Sequence, residues 1–79
     1  MPTYFSFHGI KIQLFHDDHA PPHFHAVYAE YELLIAIKSL EIMEGKMPTK
    51  KRKQILKWAE EHQDLLLELW DALHTNDKS

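Results

Sequence analysis

The stretch YFSFHGIKIQLF, residues 4–15, decides how the chain folds. Two runs rich in aromatic and β-branched residues flank His8-Gly9, a dipeptide suited to a two-residue hairpin turn. A turn there sets Phe7 opposite Ile10, Phe5 opposite Ile12 and Thr3 opposite Leu14. One face then carries Phe5, Phe7, Ile10, Ile12 and Leu14, all apolar. The other carries Tyr4, Ser6, Lys11, Gln13 and Phe15, mostly polar. A one-residue slip would mix the two sets, so the pattern selects this register.

The next run, HFHAVYAEYELLIAIK at residues 23–38, repeats the logic. With Ala29-Glu30 as the turn, Tyr28 faces Tyr31, Ala26 faces Leu33 and Phe24 faces Ile35. Phe24, Ala26, Tyr28, Tyr31, Leu33, Ile35 and Ile37 form the core face. His23, His25, Val27, Glu32, Leu34, Ala36 and Lys38 form the outer one. Ala-Glu suits a tight turn poorly, because neither residue favours positive φ. The facial pattern carries the assignment.

EIMEGKMP is a connector, with a short additional strand over Glu41–Met43 as an option. Pro48 marks a boundary and Thr49 is the expected N-cap. From Lys50 the period becomes helical. Ile55, Trp58, Ala59 and His62 form one stripe; Leu65, Leu66, Leu69, Trp70 and Leu73 form a second. A bend near His62-Gln63, with Asp64 as cap, and a single longer helix both fit. The expectation is α+β: a four-stranded antiparallel sheet from two hairpins, or five-stranded with the optional strand, one face covered by two C-terminal helices. Strands occupy about 3–43, helices about 49–74 and a frayed tail 75–79. Both tryptophans belong in the helix–sheet contact.

The 79 residues form one domain over 1–79, with a core that is small for its surface. No cysteine is present, which excludes disulfides, cysteine-ligated zinc and cysteine nucleophiles. It also fits a reducing compartment. Neither a basic leader nor about 20 consecutive apolar residues is visible, so a cytoplasmic protein without a membrane partner is expected. A net charge of −3 argues against a strongly basic nucleic-acid binder. Even so, Lys50, Lys51, Arg52, Lys53 and Lys57 crowd one short stretch. Positive charge at a helix start opposes the macrodipole. Contact with RNA, DNA or an acidic surface would explain that choice; a solvated helix face partly balanced by Glu44, Glu60 and Glu61 is the other reading.

The segment HDDHAPPHFHA, residues 16–26, holds four of the chain's seven histidines. His23 and His25 share a strand face, with Cα atoms roughly 6.5–7 Å apart. Both point away from the expected core, so burial does not explain them. His16, Asp17, Asp18 and His19 arrive from the preceding strand, and Pro21-Pro22 stiffens the link. Three readings fit. The imidazoles and a carboxylate could bind a divalent metal. One histidine could act as base and another as acid on a phosphodiester, since imidazole titrates close to neutral pH. Or the segment is a polar loop for structure or partner contact.

These motifs together resemble the domain of unknown function 4160 family of small bacterial proteins, over about residues 1–73. The most specific element is HAPPHFHA, which places the family's H-x-P-P-H-F-H on His19, Pro21, Pro22, His23, Phe24 and His25. The family's YGEYE is also recognisable, with Ala29 in place of its glycine. The resemblance implies a toxin of a type II toxin–antitoxin module, a growth inhibitor neutralised by a small, adjacently encoded antitoxin. It carries over no chemical activity, so catalysis is left open; the expected target is RNA or translation, met through the histidine-rich surface. The expected site is His19, His23 and His25, assisted by Asp17 or Asp18. Lys50, Lys51, Arg52, Lys53 and Lys11 would hold RNA or a partner. No cofactor is implied and no metal is assigned. The alternative is a non-enzymatic protein- or nucleic-acid-binding module, with metal binding a lesser one.

Overall fold

The first hairpin forms in the register its pattern demands: β1 (Thr3–Phe7) pairs with β2 (Ile10–Leu14), with Phe7 opposite Ile10 and Phe5 opposite Ile12. This is seen in a computed structural model that describes residues 3–15, 19 and 21–75. Both turn residues have positive φ, +49° at His8 and +77° at Gly9, as a type I′ turn requires. The second hairpin also keeps its expected register. β3 (His23–Tyr28) pairs with β4 (Tyr31–Ala36), with Phe24 opposite Ile35 and Ala26 opposite Leu33. Ala29 is forced to φ +54°. That is the left-handed region, which a Cβ disfavours. Replacing Ala29 by Gly should therefore raise stability by about 0.5–1 kcal/mol in a denaturant titration. An unchanged midpoint would show that the turn is unstrained.

The sheet has five antiparallel strands in the order β1-β2-β3-β4-β5. The last, β5 (Ile42–Lys46), replaces the short strand considered over Glu41–Met43. It runs farther because Gly45 takes φ +107° and lets β5 lie close against β4. Glu32 pairs with Lys46, Leu33 with Gly45 and Leu34 with Glu44; a bulge then leaves Met43 unopposed before Ile35 pairs with Ile42.

Two helices follow, α1 (Thr49–Glu61) and α2 (Gln63–Thr75). The N-cap of α1 is Pro48, not Thr49, and no side chain caps it. Thr49 already has helical backbone, and the first turn closes as the Arg52 N–H donates to the Pro48 carbonyl at 2.8 Å. His62, at φ −125° and ψ 21°, separates the helices. Its N–H donates back to Ala59 and its carbonyl accepts from the Leu66 N–H. The Gln63 side-chain amide donates to the Ile37 and Lys38 carbonyls, at 2.8 and 3.2 Å, and ties the bend to the end of β4.

Ile10, Ile12, Leu14, Phe24, Ala26, Leu33 and Ile35 form the buried sheet face, closed by Ile55, Ala59, Leu66 and Trp70 from the helices. Each large aliphatic side chain buried there contributes about 1.5–3 kcal/mol. Trp58 stacks on Phe7, with ring centroids 5.2 Å apart, and also meets Phe5 and Phe24. Leu65 departs from the expected stripe and is exposed. Among the described residues no helix is long and apolar enough to cross a membrane.

Candidate functional site

The strand register lays out the outer face of the sheet as a grid. One row runs Ser6, Lys11, Val27, Glu32 and Lys46; the next contains Gln13, His25, Leu34 and Glu44. His25 thus has Gln13 and Leu34 beside it, with Lys11 and Glu32 one row away, roughly 6.5–7 Å along the strands.

Glu32 reaches diagonally across that grid. Its Oε2 accepts a hydrogen bond from His25 Nδ1–H at 2.9 Å. A carboxylate has no proton to give at neutral pH, so Nδ1 must be the donor, and in the neutral ring the lone pair lies on Nε2. The same partner would stabilise the imidazolium after protonation. His25 keeps 15% of its side chain exposed and Glu32 52%, so the pair is partly shielded. Phe15 packs edge-on to His25, ring centroids 4.8 Å apart, and restricts its rotation.

His23 departs from expectation. It is only 6% exposed, although its strand parity puts it on the outer face. The bend at His62 brings α2 to the start of β3, where the Trp70 ring lies 5.4 Å from that of His23. His23 Nδ1–H donates to the Pro21 carbonyl at 2.9 Å, so the proline pair anchors this imidazole. The His23 and His25 rings are 5.5 Å apart. The structure therefore brings the two histidines together but gives them different surroundings, one packed and one on the face.

The cluster continues into α2. His74 stacks on Trp70 with centroids 3.8 Å apart, and its Nδ1–H donates to the Trp70 carbonyl at 2.7 Å. Trp58 and His62 repeat the arrangement at the end of α1, at 4.5 and 2.7 Å. Glu32, Phe15, Trp70 and His74 were not among the expected site residues. Glu32 was readable from the hairpin register, which puts it on the same face as His25. The repeated Trp-x-x-x-His spacing signals the helical pairs, because residues four apart stack on one helix face. Only the bend in the helices shows that Trp70 meets His23.

His19 is exposed. Asp17 and Asp18, like His16, lie outside the described residues. Among the described residues no three histidine, aspartate or glutamate side chains gather as a metal site would require.

The basic stretch does not join His23 and His25. Lys51 Nζ donates to the His8 carbonyl at 3.0 Å and sits 4.6 Å from the centroid of the Tyr28 ring. It fastens the start of α1 to the two hairpin turns, a cation–π contact worth about 0.5–1 kcal/mol. Tyr28 lies at the far end of β3 from His23, roughly 16 Å away along the strand, and on the opposite face. Lys50 and Lys53 are exposed and Arg52 is half-buried. Of the expected cationic residues, only Lys11 shares the face of His25.

No curated protein and no solved structure matches the chain. A family model does match, over residues 9–71, and its description is "Domain of unknown function (DUF4160)". That match spans most of the chain, which therefore belongs to this family of unknown function.

Proposed function

We propose that the chain is the growth-inhibiting member of a toxin–antitoxin pair, and that it acts on RNA through the outer face of its sheet. The observation that carries the chemical part is the hydrogen bond from His25 Nδ1–H to Glu32, which orients the imidazole and assigns its tautomer. His25 Nε2 takes the proton of a ribose 2′-hydroxyl as that oxygen attacks the adjacent phosphorus. The 5′-oxygen leaves and receives a proton from a second imidazole, the exposed His19. Lys11, on the same face, holds phosphate. The products are a 2′,3′-cyclic phosphate and a free 5′-hydroxyl, with no metal required. His23 acts as a positioning residue behind His25. The resemblance described above supports the toxin assignment and a small adjacent antitoxin as partner.

A second reading, a non-enzymatic module for protein or nucleic acid, is favoured by the burial of His23 against Trp70. A histidine spent on packing gives the face one imidazole fewer for chemistry.

Induced expression in bacteria tests both. The wild type should arrest growth and His25→Ala, checked as folded by circular dichroism, should not. A wild type that leaves growth unchanged would end the toxin reading. A folded His25→Ala variant as toxic as wild type would leave the binding module.

A further inference from the structure

We infer that β5 is a self-pairing edge, through which two copies of the chain join into one continuous ten-stranded sheet. β5 closes one side of the sheet, and all five of its residues are exposed. An open strand edge presents unpaired N–H and C=O groups to another strand. Edges are commonly blunted by short length, by charged side chains, by proline or by a bulge. Here the bulge falls at Met43, at the beginning of the strand, and leaves Glu44–Lys46 beyond it. Pro48, which lacks a donor, lies outside the strand as well.

The charges choose the partner. Two copies related by a two-fold axis pair antiparallel, and keeping both helical layers on one side requires the axis to pass through a residue. An axis at Glu44 would set Glu44 against Glu44, which like charge opposes. An axis at Gly45 sets Glu44 of each copy opposite Lys46 of the other, twice, both on the outer face. On the core side the same axis brings Ile42, which pairs with Ile35 of the core row, toward the second copy's core rim. Ile42 is 41% exposed and the neighbouring bulge residue Met43 43%, two of the large hydrophobics exposed among the described residues. The strand is thus apolar on the side that would extend a core and self-complementary in charge on the side that faces water. A second copy satisfies both features at once.

The interface is small, so the dimer should dissociate between roughly 10 μM and 1 mM. Sedimentation equilibrium over that range tests the inference. The wild type should show a monomer–dimer equilibrium that weakens with salt. Glu44→Lys and Lys46→Glu, each folded by circular dichroism, should each raise the dissociation constant about tenfold or more. Mixed in equal amounts, the two variants should associate again, because their opposed charges become complementary. A wild type that stays monomeric throughout overturns the inference. So does a dimer indifferent to Glu44→Lys, or a mixture of the two variants that stays monomeric.

Discussion

Gly45→Ala should destabilise the protein by about 3–4 kcal/mol, a large share of what a domain this small can have. A Cβ at Gly45 would lie 2.0 Å from the Glu32 carbonyl oxygen and 3.1 Å from the Leu33 Cα. Both are backbone atoms of β4, so no side chain can swing aside. The φ of +107° adds strain, because an L side chain rarely adopts it. Relief requires β5 to move away from β4. Urea unfolding followed by circular dichroism should show the loss as a lower midpoint. A loss under about 1 kcal/mol would mean that the strands part easily. Glu32 also holds His25, so the same substitution should disturb the candidate site from behind.

In the RNA cleavage proposed above, His25→Ala should lower the rate about 10²–10⁴-fold, the range for removing a general base. Glu32→Gln should cost less, about 10–100-fold. The amide oxygen can still accept from Nδ1–H and keep the ring oriented, but its charge no longer stabilises the imidazolium. The loss should appear in kcat and not in KM, because neither residue is assigned to ground-state binding. An oligoribonucleotide should yield 2′,3′-cyclic phosphate ends, and the matching DNA should remain uncut for want of a 2′-hydroxyl. Equal activity of His25→Ala and wild type would remove His25 from the chemistry. A glutamine variant as impaired as the alanine variant would mean that Glu32 does more than orient and stabilise.

The hairpins were legible because a strand exposes its residues alternately, and that period fits only one register when one face is apolar. Phe7 opposite Ile10 and Tyr28 opposite Tyr31 follow from that rule alone. The change to helix after Pro48 follows from the change of period. With the register known, Lys11, His25 and Glu32 were already on one face.

Alternation does not report where a strand ends or what covers it. β5 reaches Lys46 because Gly45 can approach Glu32 backbone, a contact between segments distant in sequence. His23 is buried, although its parity points outward, because Trp70 arrives from α2, and that arrival depends on the bend at His62. The basic start of α1 stands apart from His23 and His25 for the same kind of reason. Lys51 anchors it to the hairpin turns, at the opposite end of the sheet. The local pattern along the chain determines strands, registers and faces, since each depends on neighbours a few residues away. Which face is covered, and by which ring, is decided only when distant segments pack and compete for the same apolar surface.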